Sequence, residues 1–156
     1  MVKNNVTRFL EAQKIPFTAY ELPAEKISAL ETARILGVDP GQVFKTIVVL
    51  REGNGKPILA VVPGDLEVDL KKLATAVGEK KFFLATQRQA EHVTGLLTGG
   101  ISPLALLNQG FEVVVDALIE LYPQVYISGG QRGLNIRLPV QALISMTQAR
   151  MADISR

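Results

Sequence analysis

The chain has 156 residues, and its 17 Lys and Arg against 15 Asp and Glu give a net charge of +2, which permits a polyanionic partner without requiring one. This length suits one domain with a substantial hydrophobic core, and the apolar fraction of 47% is ordinary for a globular protein. The absence of cysteine excludes disulfides, thiolate zinc sites and a cysteine nucleophile. The amino terminus does not resemble a signal peptide, and no apolar run is long enough to span a membrane. We therefore expect a cytoplasmic protein without membrane contact.

Short helices alternate with strands along the chain. In the first half, helical spacing, caps and turn residues predict a helix from a cap at Asn4 or Asn5 to Gln13, a strand at 17–21, a helix from the Ser28 cap to Leu36, a strand at 43–50 and its hairpin partner at 58–62. In the second half they predict a helix at 70–77, a strand at 81–84, a helix from the Thr86 cap to Thr94, strands at 113–115, 125–127 and 134–138, and a helix at 140–146. This order predicts one compact α+β domain over 1–156 with a mixed sheet.

Lys45 stands at the entrance of the most apolar predicted strand, which we expect to be buried on both faces. An ammonium facing an apolar core is unfavourable unless an anion or several acceptors meet it. Two interpretations follow for Lys45. Its side chain reaches water from the end of the strand, or it holds something negative at the mouth of a pocket.

Two glycine-rich loops are the other unusual feature. The first glycine loop (residues 96–104) contains Gly99-Gly100, and the second glycine loop (residues 128–133) follows directly on a predicted strand. Without a Cβ, glycine lets backbone N–H groups approach a ligand, where they can bind phosphate or stabilise a developing oxyanion. Ser128 adds a hydroxyl and Arg132 a fork for phosphate. The alternative for each loop is a tight turn or bulge.

Conventional catalytic groups are poorly represented. His92 is the single histidine and falls inside a predicted helix, where a surface or structural role is the ordinary interpretation. No Ser-His-Asp arrangement and no set of carboxylates at metal-ligand spacing is found. The glycine loops match neither the P-loop nor the dinucleotide fingerprint. The sequence therefore predicts a site with no metal and no cofactor.

Four stretches, taken in order, resemble the YbaK/EbsC family, and most of all its bacterial Cys-tRNA(Pro) deacylase branch. They are residues 20–21, 43–46, 94–104 and 126–134. Each motif alone is modest, but their order and spacing across nearly the whole chain are specific. The resemblance implies a single α+β domain with a mixed, mostly antiparallel, barrel-like sheet flanked by helices, related to the editing domain of bacterial prolyl-tRNA synthetases. It also implies trans-editing, the removal of a wrong amino acid from the 3′ end of tRNA.

Residue by residue, the resemblance implies two catalytic positions. Lys45 matches the essential lysine of the family, expected to hold the phosphate of the terminal adenosine, and Gly100 matches the glycine whose backbone lines the reacting ester. The substrate-binding residues that it implies are Tyr20, Thr46, Gly99, Ile101, Ser102, Pro103, Ser128, Gly129, Gly130, Arg132 and Asn135. For Tyr20, packing against the core is an equally good interpretation.

Four positions depart from the pattern of the family. They are Asn135 where Asp is frequent, Gln131 where Lys is common, Leu96 where Tyr is common and Ala105 where Gly is common. Because Asn in place of Asp removes an anionic group, we assign no general base to Asn135. We expect Leu96 and Ala105 to alter the shape of the pocket and so the preference for the amino acid.

The implied substrate is the 3′ aminoacyl-adenosine end of a mischarged tRNA, and the implied partner is prolyl-tRNA synthetase. In the cysteine branch the thiol of the substrate attacks its own carbonyl and releases a thiolactone, so no nucleophile of the protein is needed. An activated ester can be cleaved by positioning and electrostatics alone. The alternative function is a non-catalytic module of the same fold that binds the tRNA 3′ end or a nucleotide.

Overall fold

The computed structural model describes residues 2–53 and 55–156. Helices and strands within them follow in the order α1 (Asn5–Ala12), β1 (Thr18–Glu21), α2 (Ala29–Leu36), β2 (Phe44–Arg51), β3 (Ile58–Pro63), α3 (Leu70–Val77), β4 (Phe82–Leu84), α4 (Gln87–Thr94), β5 (Glu112–Asp116), β6 (Gln124–Ser128), β7 (Leu134–Pro139), α5 (Val140–Thr147) and β8 (Arg150–Ala152). Short 3-10 turns cover Pro40–Gln42, Pro103–Ala105 and Ala117–Leu121. Among the described residues no helix is long and apolar enough to cross a membrane.

The strands form two sheets. The larger has the order β4-β2-β3-β5-β8, in which β2 is antiparallel to β3 and β4, and β5 is parallel to β3 and β8. The smaller, β1-β7-β6, is entirely antiparallel. The predicted α+β fold with mixed, mostly antiparallel pairing is confirmed.

The barrel-like closure that we expected is wrong. Across the residues that the structure describes, the two sheets are joined by one parallel bridge, between Val43 and Tyr126, rather than by a ladder of strand pairs. A barrel needs continuous pairing between its first and last strands. The single bridge brings the start of β2 beside β6 and leaves the sheets otherwise separate, which creates an opening where they diverge.

The main core lies between the two sheets. Along β3 all six residues are buried, because alternate side chains enter opposite clusters. Leu59 and Val61 join the cluster between the sheets, whereas Ile58, Ala60 and Val62 join a second cluster beneath α3. Burial on both sides fixes the register of β3 and hence the position of its antiparallel partner β2.

Helix ends agree with the sequence more closely than strand ends do. Asn4, Asp69 and Thr86 cap α1, α3 and α4 as predicted, and Gly37, Gly78 and Gly95 end α2, α3 and α4. The predicted hairpin between β2 and β3 is confirmed, although Asn54 in its turn lies outside the described residues. The short strand β8 was not predicted.

The expectation that β2 is buried on both faces is wrong for most of the strand. Phe44, Val48 and Val49 are buried, but Leu50 and Arg51 are only partly so, and the same holds for residues 45–47. These three residues line a cleft, and the polar side chains of Lys45 and Thr46 open into it. The start of β2 therefore belongs to a site rather than to the core.

Candidate active site

A cleft of about 490 Å³ opens where the two sheets diverge. A volume of this size suits a small organic ligand. Its walls come from the segment before α2, the start of β2, the turn after β3, both glycine loops and β7. The lining residues are Lys26, Ile27, Ser28, Ala29, Leu30, Thr32, Val43, Phe44, Lys45, Thr46, Ile47, Gly64, Asp65, Glu67, Thr98, Gly99, Ile101, Ser128 and Asn135.

Lys45 presents its ammonium to this cleft with 24% of its side chain exposed. Its Nζ lies 3.4 Å from the carbonyl oxygen of Gly64 and 3.4 Å from Oε1 of Glu67, both long contacts. The side chain of Glu67 is 73% exposed, so it is easily displaced. An entering anion can thus take over the ammonium of Lys45 at little cost.

Three buried oxygens in the cleft lack a hydrogen-bond partner. They are Oγ1 of Thr46, Oγ1 of Thr98 and Oδ1 of Asn135. Asn135, only 6% exposed, is paired with Ser128 across β6 and β7. A buried polar atom without a partner costs about 1–3 kcal/mol, so folded proteins contain few of them. All three belong to residues that line the cleft, so a polar ligand bound there is a natural source of the missing hydrogen bonds.

The two glycine loops pack backbone against backbone at Gly100. A Cβ at Gly100 would lie 2.7 Å from the carbonyl carbon of Gln131 and 2.8 Å from the backbone nitrogen of Arg132. The N–H of Gly100 donates to the carbonyl of Leu97 at 2.8 Å, closing a turn in which Gly99 has φ +95°. The amide that we considered as an oxyanion donor is therefore used within the loop.

Arg132 ties the loops together. Its Nε donates to the carbonyl oxygen of Thr98 at 2.8 Å, and one of its terminal nitrogens lies 4.0 Å from Oε2 of Glu91. The same carboxylate oxygen accepts the backbone N–H of Thr98 at 2.8 Å. This N–H is the main reason that the pKa of Glu91 lies below its ordinary value, with the charge of Arg132 as a smaller cause. Arg132 holds the cleft wall in place rather than lining the cleft.

Comparison with known proteins decides the family. The model of the aminoacyl-tRNA editing domain matches residues 24–146 of this chain, which include every lining residue of the cleft. The chain belongs to the aminoacyl-tRNA editing domain family.

Known members of the family resemble this editing domain over most of its length. EbsC of Enterococcus faecalis, whose name classes it as a Cys-tRNA(Pro)/Cys-tRNA(Cys) deacylase, is 36% identical over 98% of this chain and 93% of its own. ProXp-y of Escherichia coli, named a multifunctional Ser/Thr-tRNA deacylase, is 25% identical over 80% of this chain and 75% of its own. A crystal structure described as a trans-editing enzyme for prolyl-tRNA synthetase superposes with a TM-score of 0.81 at 27% identity, covering 100% of this chain and 99% of the other.

Within the editing domain, six of the predicted site residues line the cleft: Lys45, Thr46, Gly99, Ile101, Ser128 and Asn135. The others do not, and they are Tyr20, Gly100, Ser102, Pro103, Gly129, Gly130 and Arg132. The ring of Tyr20 lies 5.8 Å from that of Tyr126, in a small apolar cluster. Ser102 is wholly buried, and its hydroxyl accepts the N–H of Leu104. Tyr20 thus packs within the fold, and the other six residues belong to the two glycine loops.

Several residues of the cleft were not predicted. Gly64, Asp65 and Glu67 come from the turn after β3, and Lys26 comes from the segment before α2. A Cβ at Gly64 would lie 2.8 Å from that of Ala29, so this glycine allows α2 to approach the cleft. His92 is exposed on α4 and does not line the cleft. Across the described residues, no group of three or more His, Asp or Glu side chains is placed to hold a metal ion.

Replacing Glu91 with Gln is expected to loosen the first glycine loop at neutral pH, because the carboxylate that accepts the Thr98 N–H becomes a neutral amide. Since the pKa of Glu91 is lower in the folded protein, its contribution is present above the unfolded pKa and is lost as the pH falls below about 4.3. Wild type should therefore lose melting temperature between neutral and acid pH more steeply than the variant. Parallel pH profiles for the two proteins would contradict this.

Proposed function

We propose that this editing domain is a trans-editing aminoacyl-tRNA deacylase, acting in the cytoplasm in association with prolyl-tRNA synthetase, with Cys-tRNA(Pro) as its main substrate. The observation that supports it most directly is the cleft, whose lining includes Lys45 and three residues with a buried, unpartnered side-chain oxygen. A 3′ aminoacyl-adenosine offers the matching groups, which are a phosphate for Lys45 and an α-ammonium and ribose hydroxyls for the oxygens.

In this proposal Lys45 binds the phosphate group of the substrate. Its ammonium is a compact charge with three donors, and among the described residues its hydrogen-bond contacts are the two long ones to Gly64 and Glu67. The phosphate that precedes the terminal ribose would replace Glu67 and fix the adenosine at the mouth of the cleft. The ester and the amino acid then extend toward Asn135 and the first glycine loop.

The chemistry that we propose uses no nucleophile of the protein. Five hydroxyl side chains line the cleft, on Ser28, Thr32, Thr46, Thr98 and Ser128. In the described part of the chain, no histidine or carboxylate is hydrogen-bonded to the hydroxyls of Ser28, Thr32, Thr46 and Ser128, and the carboxylate nearest the Thr98 hydroxyl is that of Glu91, whose lowered pKa makes it a weak base. A cysteinyl ester carries its own nucleophile, so the protein needs only to position it.

In this reaction the thiol sulfur of the substrate bonds to its own carbonyl carbon, and the bond from that carbon to the ribose oxygen breaks. The products are a four-membered thiolactone and the tRNA with a free terminal hydroxyl, which takes the proton that the thiol loses. The role of the editing domain is to hold the thiol close to the carbonyl and to exclude other conformers, which is a positioning effect.

A panel of mischarged tRNA(Pro) tests the proposal. We expect the purified protein to deacylate cysteinyl-tRNA faster than seryl-, threonyl- or alanyl-tRNA, and to leave the S-methylcysteinyl ester intact, because its sulfur has no proton to lose and cannot form a neutral thiolactone. Rapid hydrolysis of the S-methylated substrate would overturn the substrate-assisted mechanism. Binding of the tRNA without turnover of any ester would favour a non-catalytic binding module.

Because the relatives are named for different amino acids, the most informative comparison in this panel is the one between amino acids. The named substrates are Cys-tRNA for the relative from Enterococcus and Ser- and Thr-tRNA for the relative from Escherichia coli. Serine matches cysteine in size but has a far less acidic donor, so the ratio of the two rates separates pocket selection from thiol chemistry. Equal rates for serine and cysteine would overturn the preference for cysteine while leaving deacylation in place.

A further inference from the structure

A second groove lies along α4. It has a volume of about 750 Å³ and is lined by Leu50, Gln87, Arg88, Gln89, Glu91, His92 and Val93. Lys26 connects the two spaces, because it lines the cleft while its Nζ donates to Oε1 of Gln87 at 2.8 Å. The cleft and the groove are therefore neighbouring spaces at Lys26.

An exposed aromatic ring borders the groove. Phe83 on β4 lies opposite Leu50 of β2 in the antiparallel register, so both side chains are on the same face of the sheet. Phe83 is 44% exposed, and the ammonium of Lys81 lies 5.5 Å from the centre of its ring. An exposed ring beside a cation is the combination on which unpaired bases of nucleic acids stack.

The charges on the two sides of the cleft differ. Toward the groove lie Lys26, Arg88 and Lys81, and they share it with two carboxylates, that of Glu91, which lies 4.0 Å from the guanidinium of Arg132, and that of Glu52, which lies 3.8 Å from the ammonium of Lys81. On the opposite rim, Asp65 and Glu67 line the cleft. The acidic rim repels a polyanion and the basic side chains beside the groove attract it. Charge complementarity therefore favours a polyanion that leaves the cleft on the side of the groove.

We propose that the unpaired 3′ strand of tRNA lies along this groove, with phosphates beside Lys26 and Arg88 and a base stacked on Phe83. The inference rests on the proposed function, because it places the terminal adenosine in the cleft. It adds the path of the nucleotides that precede the terminal adenosine. It also assigns binding roles to Arg88 and Phe83, which lie outside the cleft, and to Lys26, which lines it.

The test compares two probes that differ only in length. Adenosine 5′-monophosphate reaches the cleft alone, whereas an RNA tetranucleotide ending in CCA also spans the groove. Arg88→Ala and Phe83→Ala are measured against Arg8→Ala and Phe9→Ala on α1, which lines neither space. All four side chains are exposed, and thermal melting confirms that each variant folds.

Phe83→Ala is expected to weaken binding of the tetranucleotide about 5- to 150-fold, the range for loss of one stacked base. Arg88→Ala should lower the slope of log affinity against log salt by about 0.7, the value for one phosphate contact on a single strand. Neither change should alter the affinity for the mononucleotide. The α1 variants should behave as wild type with both probes.

Two results would overturn the inference. One is a tetranucleotide that binds no more tightly than the mononucleotide, which would leave the groove to a protein partner. The other is an equal loss for both probes, which would place the effect in the cleft. Deacylation by the wild-type protein is measured separately. If the protein fails to deacylate tRNA but still binds the tetranucleotide more tightly than the mononucleotide, the proposed function is wrong and the proposed binding groove is retained.

Discussion

Lys45→Ala is expected to lower kcat/KM for deacylation about 30- to 5,000-fold, the range for truncating one partner of a desolvated charge pair. The ammonium of Lys45 faces the cleft from the start of β2, and its protein contacts, to Gly64 and Glu67, are both 3.4 Å long. The loss should appear mainly in KM if the phosphate is held equally in the ground and transition states. Single-turnover kinetics on mischarged tRNA measure both parameters.

The same substitution should change the melting temperature little. Because the side chain of Glu67 is largely exposed, the ion pair with Lys45 contributes about 0–1 kcal/mol to the free energy of unfolding. Lys45→Arg keeps the charge and is the matched control, expected to retain part of the activity. A large fall in melting temperature that accounts for the lost activity would make Lys45 a structural residue.

The helices were predictable because the interactions that start and end them are local. The side chain of Asp69 accepts the N–H groups of Lys71 and Lys72, and Gly78 adopts a left-handed conformation nine residues after the cap. Such contacts span a few residues and can be inferred from sequence alone. Lys45 could be singled out for a related reason, since a lysine beside an apolar run conflicts with its surroundings.

The rest of the cleft depends on pairings that are distant in the chain. Glu67 is held by backbone hydrogen bonds in both directions with Arg156, and Thr98 is held by Arg132, which is 34 residues away. The three-residue strand β8 owes its conformation to parallel pairing with β5 rather than to its own sequence. No local pattern carries this information, so the acidic rim and the tether between the loops could be found only in three dimensions.

The difference between local and long-range contacts also explains why the sequence identified Gly100 but not its role. The sequence shows a glycine pair and predicts close approach to a backbone or a ligand. In the structure the close approach is to the second glycine loop, and the N–H of Gly100 closes a turn on Leu97. We propose that Gly100 acts by letting Arg132 come close enough to reach the carbonyl of Thr98.

Gly100→Ala is expected to lower the deacylation rate about 100-fold, the cost of a misplacement of about 1 Å near the reacting atoms. The new Cβ would lie 2.7–2.8 Å from backbone atoms of Gln131 and Arg132, and backbone cannot move aside as a side chain does. One loop must shift, and the contact from Arg132 to Thr98 should break with it. Since overpacking costs about 1–3 kcal/mol, the melting temperature should also fall.

Gly41→Ala is the matched control for this change. Neither glycine has φ in the left-handed region, but a Cβ at Gly41 would meet only the Tyr122 hydroxyl at 3.0 Å and the carboxylate of Asp39, both at the tips of side chains. These tips can move, so the control should keep its activity and nearly all its stability. Amide exchange at Thr98 locates the effect, because its N–H should exchange faster in Gly100→Ala alone. Equal exchange and equal activity in the two variants would show that the loops do not depend on contact at Gly100.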